Sequence, residues 1–311
     1  MTNELTSLAD AVVSTIFGNE IRQTAAGGAP VAVFALGKFG TRELTYYADI
    51  DLIFIADATD ADALAVRESS AGEIVGRLSQ TVNGGKLYDV DARLRPEGRN
   101  APLVADFSAY VDYLARRASL WERQSLTRLR YITGDPSLGE RVTEQIRIFV
   151  FGTPLPAGWI AETVAMRRRT ETRSRVGGGT FIDFNLGAGG MMDIEFLLQM
   201  LQLYSGREDI RDKTVGAILG MKDLPALDSR EREELGQAYR LFRGVELQLR
   251  IGFDLRTSVL PVGESLETLA RLMGFTDGTD VLKALRTTMD RTRSIFLRVA
   301  RTLEAAGGGM I

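Results

Sequence analysis

Apolar positions along this chain repeat with two different periods, and the change from one to the other divides it. Residues Leu5 to Gln23 read as an amphipathic helix that ends at the Ala25-Ala-Gly-Gly-Ala-Pro30 break. Val31-Ala-Val-Phe-Ala-Leu36 is a short apolar run bounded by Gly and Pro, the length of a buried strand. Ile50 to Ile55 predicts a second strand, residues 60–82 a helix, and Asn83-Gly84-Gly85 a turn. Leu87 to Leu94 predicts a third strand, and Pro102 to Ala105 adds a short edge piece.

From about residue 106 the period is 3.6. Helices are predicted over 106–132, 137–150, 158–175, 190–205, 265–273 and 280–304, with the glycine-rich stretch 177–190 interrupting them. Leu235, Ala238, Phe242, Val245, Leu249 and Phe253 form one helical stripe, which reads as bundle core. The tail Gly307 to Ile311 reads as frayed. Strands grouped first and helices grouped later argue an α+β chain. The expected division is a mixed-sheet domain with its N-terminal helix over 1–135 and a helical bundle over 136–311.

Composition narrows the chemistry. The 311 residues are 45% hydrophobic and 25% charged, the profile of a soluble globular protein. The net charge of −3 calls for neither nucleic acid nor an anionic membrane as partner. The N-terminus has no basic segment followed by an apolar core, so the expected location is the cytoplasm. There is no Cys and no His. That removes thiol chemistry, Ser-His-Asp and Cys-His catalysis, and the commonest zinc ligand. Carboxylates without His or Cys suit hard cations such as Mg²⁺ or Mn²⁺.

Two segments concentrate carboxylates. In Ala48-Asp49-Ile50-Asp51-Leu52, strand alternation points Asp49 and Asp51 to one face, roughly 7 Å apart, with Ile50 and Leu52 on the other. In Tyr88-Asp89-Val90-Asp91-Ala92-Arg93-Leu94-Arg95-Pro96, Asp89 and Asp91 share a face, as do Arg93 and Arg95. If the two strands are neighbours, about 4.8 Å apart, one Asp of the second completes a three-carboxylate cluster. Alternation alone does not choose between Asp89 and Asp91. Carboxylates hold metals and Arg forks hold phosphates, the division of labour that nucleotidyl transfer needs. Upstream, Gly37-Lys38-Phe39-Gly40 follows a strand, and glycine there lets backbone amides approach phosphate oxygens. It lacks the spacing of a Walker loop.

These residues carry a family resemblance. ALGKFGTRELTYYADIDLIF, VDARLRPEGRNAPLV, WERQSLTRLRYITGD and LGAGGMMDIEFLLQMLQL resemble, in order, four segments of glutamine synthetase adenylyltransferases (adenylyl-removing enzymes). The resemblance implies a polymerase-β-like catalytic domain followed by a helical bundle. It implies transfer of AMP from ATP to a tyrosine hydroxyl of glutamine synthetase, or phosphorolytic removal of that AMP. A nitrogen-signalling regulatory protein is a further expected partner.

Carried over by motif, Asp49 and Asp51 are metal ligands and Gly37 and Gly40 form the phosphate loop. Asp91, rather than Asp89, takes the third carboxylate position. The implied mechanism is a two-metal in-line displacement in which Lys38, Arg93 and Arg95 neutralise phosphate charge and Asp91 serves as general base. Asp193 and Glu195 are candidates for a site role or for the charge preference of a helix N-terminus. Trp121 and Glu122 read as structural.

The chain also departs from the pattern. Relatives usually carry two such halves, one adding and one removing AMP, and this sequence has one. Ala35 and Thr41 stand where glycines are frequent, and relatives have His near GVELQLR and TSVLP. The direction of reaction stays open. So do a nucleotidyltransferase with another acceptor, such as the uridylyltransferases of nitrogen signalling, and a non-catalytic half kept for sensing or docking.

Overall fold

The computed structural model describes residues 2–23, 28–58, 60–82, 85–96, 98, 101–174, 181–210 and 213–307. Residues 25–27 of the first break, Asn83-Gly84 of the turn, 177–180 of the glycine-rich stretch and the tail from 308 lie outside them. Two compact units result, Met1–Thr153 with Glu208–Lys213, and Pro154–Arg207 with Thr214–Ile311.

The first unit opens with α1 (Thr2–Gln23), followed by β1 (Val31–Leu36), the single turn α2 (Gly37–Gly40), β2 (Ile50–Ala56) and α3 (Ala61–Leu78). A two-stranded hairpin, β3 (Thr81–Val82) and β4 (Gly85–Lys86), leads to β5 (Val90–Asp91) and β6 (Val104–Asp106). Then come α4 (Phe107–Arg116), α5 (Leu120–Leu126), β7 (Arg130–Gly134) and α6 (Pro136–Arg147), which runs on into a π-helical turn, Ile148–Gly152. The sheet order is β5-β2-β1-β7, with β6 also pairing β2. β1 is antiparallel to both its neighbours, whereas β5 and β6 run parallel to β2, so the sheet is mixed.

Alternation along β1 and β2 divides the core. Val31, Val33 and Ala35 join Ile50, Leu52 and Phe54 on one face, against Ala9, Val13 and Phe17 of α1 and Ile74 and Leu78 of α3. The i, i+4, i+8 spacing of the α1 residues makes one stripe of that helix. Asp51 is on the opposite face, in phase with the buried Ile53 and Ile55.

Three sequence expectations need correction here. The predicted strand over 87–94 pairs only at Val90–Asp91. Asp91 Oδ1 accepts from the Arg93 amide at 2.9 Å, an Asx turn that takes the chain out of the sheet. The predicted helix over 106–132 is α4, α5 and β7. Ser119 and Glu122 form a capping box that starts a new helix, and Arg130-Tyr-Ile-Thr-Gly134 then pairs with β1. The division between units falls after Thr153 rather than after 135. The cause is α6, whose buried Leu138, Val142 and Ile146 face the sheet and whose Gly139 fits under the Tyr131 ring.

The second unit is helical: α7 (Trp159–Ser174), α8 (Met191–Ser205), the short α9 (Val215–Leu219), α10 (Ser229–Gly252), α11 (Glu264–Met273) and α12 (Gly278–Ala305). α8, α10 and α12 pack on one another. Leu235, Ala238, Phe242, Val245 and Leu249 are buried as the stripe on α10 predicts, while Phe253 lies just past the helix end. Two extended segments join through the Leu260 amide to the Ile182 carbonyl, 3.0 Å, and the Phe184 amide to the Ser258 carbonyl, 3.1 Å. Among the described residues no helix is long and apolar enough to cross a membrane.

Candidate active site

The site begins with a register. β2 and β5 pair in parallel with Ile50 opposite Val90 and Asp51 opposite Asp91. Adjacent strands lie about 4.8 Å apart, so two carboxylates stand side by side on one face of the sheet. Asp49 immediately precedes β2 and is exposed, and the Ile50 amide donates to the Asp89 carbonyl at 2.9 Å. Asp89 itself turns to Lys86 at 2.8 Å, so the register puts Asp91, not Asp89, beside Asp51. Burial first, and then the neighbouring charges of Asp91 and Asp49, together raise the Asp51 carboxyl to about 7 against the smaller opposing pull of Arg93 and Arg128.

The glycine turn closes one side. Leu36, the last residue of β1, is the register partner of Asp51. Gly37 follows with φ +55°, and a Cβ there would collide with Asp51 Oδ2. Both the left-handed backbone and the close approach demand glycine. Gly40 is required for a different reason, because its Cβ would strike the backbone carbonyl of Arg128. The turn carries the half-buried Lys38, and its own bonds run from Thr41 N to Gly37 O, 3.3 Å, and from Glu43 N to Lys38 O, 2.8 Å.

The two arginines after Asp91 part company. Arg93 grips the Asp91 carboxylate, Nε reaching Oδ1 at 2.8 Å and Oδ2 at 2.7 Å while Nη2 also donates to Oδ2. Arg95 turns to its own loop, donating to the Ala101 carbonyl at 3.0 Å and to the Ala92 carbonyl. The expectation that both share one strand face therefore fails, since the strand has already ended. Among the described residues no three carboxylates are drawn together as a finished metal cage. The donor set nevertheless fits a hard divalent cation: all its donors are oxygens, and the burial and like-charge repulsion that raise Asp51 are what a cation between these groups would relieve.

Sequence reasoning missed the basic residues on the far side of the turn. Arg128 is buried and within electrostatic range of Asp51. Arg130 donates to the carbonyls of Phe39, 2.9 Å, and Gly40, 3.1 Å. The available signal was the Arg-Leu-Arg alternation at the entry to β7, hidden by reading that stretch as helix. Glu122 is structural, as expected: it completes the capping box on Ser119 and accepts from the Tyr113 hydroxyl at 2.6 Å.

Asp193 and Glu195 lie in the second unit, on α8. Asp193 is fully buried, paired with Arg167 at 2.6 Å and Arg293 at 3.1 Å, and accepts from the Gly189 amide at 2.9 Å. Arg167 also donates to the Leu186 and Gly187 carbonyls, and Glu171 pairs with Arg293 at 2.8 Å. Asp193 is thereby committed to holding the 186–189 loop on the bundle.

Comparisons with known proteins divide the chain near the same place as its fold. A family model described as glutamate-ammonia ligase adenylyltransferase matches residues 1–145, and one described as GlnD PII-uridylyltransferase matches residues 162–304. Curated relatives are bifunctional glutamine synthetase adenylyltransferase/adenylyl-removing enzymes. That of Streptomyces coelicolor is 33% identical over 286 residues, 88% of this chain and 28% of the relative. That of Mycobacterium leprae is 34% identical over 282 residues, 86% of this chain and 26% of the relative. That of Mycolicibacterium smegmatis is 32% identical over 312 residues, 96% of this chain and 30% of the relative. The chain thus spans less than a third of the length of these relatives.

Proposed function

This chain belongs to the glutamate-ammonia ligase adenylyltransferase family, and we propose that it moves AMP between ATP and a tyrosine hydroxyl of glutamine synthetase. The direction is either adenylylation or phosphorolytic removal. The observation that carries the reading is the parallel register that sets Asp51 beside Asp91 against the Gly37 turn.

In the adenylylating direction the tyrosine oxygen attacks the α-phosphorus, the bond to the bridging oxygen of pyrophosphate breaks, and pyrophosphate leaves. Asp49, Asp51 and Asp91 would hold Mg²⁺ or Mn²⁺. A bound cation of this kind polarises the phosphate and lowers the pKa of the attacking hydroxyl. Asp91, at the sheet edge, takes the phenolic proton. The Gly37–Gly40 turn lines the triphosphate path with backbone, and Lys38 and Arg93 neutralise charge as pyrophosphate departs. Arg95 braces the loop that follows Asp91 and carries Arg93, through the Ala92 and Ala101 carbonyls. The working compartment is the cytoplasm, where ATP and glutamine synthetase meet.

The test is intact mass spectrometry of glutamine synthetase incubated with this chain, ATP and Mg²⁺, and, in reverse, of adenylylated enzyme with phosphate. One AMP gained or lost per subunit supports the reading; no change in either direction sinks it. A second reading is uridylyl transfer to a nitrogen-signalling regulatory protein, favoured by the match of residues 162–304 to the uridylyltransferase model. Trapping with labelled ATP against labelled UTP separates the two. A non-catalytic half is disfavoured by the three aspartates, all of them retained.

A further inference from the structure

The Gly37–Gly40 turn has few bonds of its own, and what pins it comes from elsewhere in the first unit. Arg130 is buried at the first position of β7. Its guanidinium donates to the carbonyls of two successive turn residues, Phe39 at 2.9 Å and Gly40 at 3.1 Å, and lies 5.3 Å over the Phe39 ring. From the other side Asp10 of α1 accepts from it through both carboxylate oxygens, at 3.0 and 2.9 Å. Arg42, in the left-handed region at φ 60°, reaches the same Asp10 at 3.4 Å. Thr6 of α1 accepts from the Leu44 amide at 3.3 Å.

This geometry does more than pack. In a trans peptide the carbonyl and the following amide point in opposite directions. Drawing the Phe39 and Gly40 carbonyls onto Arg130 therefore fixes where the Gly40 and Thr41 amides point. A planar fork can satisfy two carbonyls and a bidentate carboxylate together; an ammonium cannot. Burying a guanidinium costs desolvation, which is recovered only when most of its donors are used in good geometry.

We infer that the Asp10–Arg130 pair is a positioning clamp for the turn, setting nucleotide affinity through the backbone of Gly37–Gly40 without touching the nucleotide. This rests on the reading that the turn holds the triphosphate. Asp10 lies early in what reads, from sequence, as an ordinary amphipathic helix. The inference assigns that helix a part in the site.

The variants are Arg130→Lys and Asp10→Asn in the full chain. Loss of one charged hydrogen-bond arrangement should raise the dissociation constant for ATP with Mg²⁺ about tenfold in Arg130→Lys. The change in Asp10→Asn should be smaller and in the same direction. Hydrogen exchange at the amides of 38–42 should quicken in both. Binding of Mn²⁺ alone should stay near wild type, even where the loss of a buried charge partner lowers the melting temperature. Unchanged ATP affinity with unchanged exchange overturns the clamp. So does a loss of ATP and Mn²⁺ binding that merely tracks a fall in melting temperature. Wild-type chain that binds no ATP overturns the function proposed above instead, and the exchange rates then decide the clamp by themselves.

Discussion

Two tripeptides in this chain differ by one methylene and come to opposite ends. Asp49-Ile50-Asp51 enters a strand, where i and i+2 share a face, and it meets Asp91 across the register. Asp193-Ile194-Glu195 lies in the first turns of α8, where i and i+2 do not face each other. Asp193 is fully buried and neutralised by Arg167 and Arg293. Asp51 is mostly buried among like charges and held up to about 7. A buried carboxylate with its own arginines is architecture, whereas one surrounded by carboxylates is, on the function proposed above, where a cation would sit.

The sharpest way to break this comparison is to neutralise one carboxylate of each kind. Asp91→Asn should lower adenylyl transfer by about a thousandfold or more while leaving the melting temperature near or above wild type, since a repulsion is removed. Calorimetric scanning alongside the mass assay reads both. Full transfer by the variant would remove Asp91 from the chemistry. Asp193→Asn should do the reverse, costing about 3–5 kcal/mol of stability because the buried Arg167 loses its closest carboxylate and keeps only Glu171, at 3.7 Å. Chemical denaturation measures that loss. A variant as stable as wild type but inactive would mean that Asp193 belongs to the chemistry after all.

The comparison also explains what could be read in advance. The strand at 31–36, the strand at 50–55 and the long helices were legible because a single period runs through each. The pairing of Asp49 with Asp51 followed from the same alternation. What was not legible depended on partners distant in sequence. β7 looked helical because its residues continue an amphipathic texture, and only pairing with β1 makes Arg130–Gly134 a strand. The choice of Asp91 over Asp89 rested on resemblance until the register with Asp51 supplied a geometric ground. Arg93 and Arg95 were expected to act alike, but the Asx turn at Asp91 sits between sequence alternation and fact.

A third prediction concerns pH. The Asp51 carboxyl is raised in the folded chain above its ordinary value near 4. The folded state therefore binds more protons than the unfolded state between about pH 4 and pH 7, and stability falls as pH rises through that window. The loss is at most about 4 kcal/mol, the value of three pKa units, and less where the site relaxes. In Asp51→Asn that slope should flatten, and saturating Mg²⁺ should flatten it in the wild type. Urea midpoints across the window decide it: a wild-type stability that rises from pH 4 to 7 by the same amount in the Asp51 variant would contradict the assignment.

The smallest effect tests the place where the two regions resemble each other. Arg93 partly does for Asp91 what Arg167 does for Asp193, but from the surface: its side chain is 56% exposed against 0% for Arg167. An exposed pair of this kind is worth at most about 1 kcal/mol, even with bidentate geometry. Arg93 can therefore be displaced by a cation that Arg167 would exclude. Arg93→Ala should tighten Mn²⁺ binding in the absence of nucleotide, by no more than about fivefold, because a competing charge leaves both Asp91 oxygens. The same variant should weaken ATP binding, since the guanidinium is lost from the phosphates. Opposite signs for metal and nucleotide are the signature of a residue that changes partners. Arg95→Ala serves as control, because Arg95 is committed to the Ala92 and Ala101 carbonyls and its removal should leave Mn²⁺ affinity unchanged. Weaker Mn²⁺ binding in Arg93→Ala would mean that the arginine orders Asp91 for the cation rather than competing with it. The line between a neutralised and an open carboxylate would then have to be drawn by geometry, not by charge.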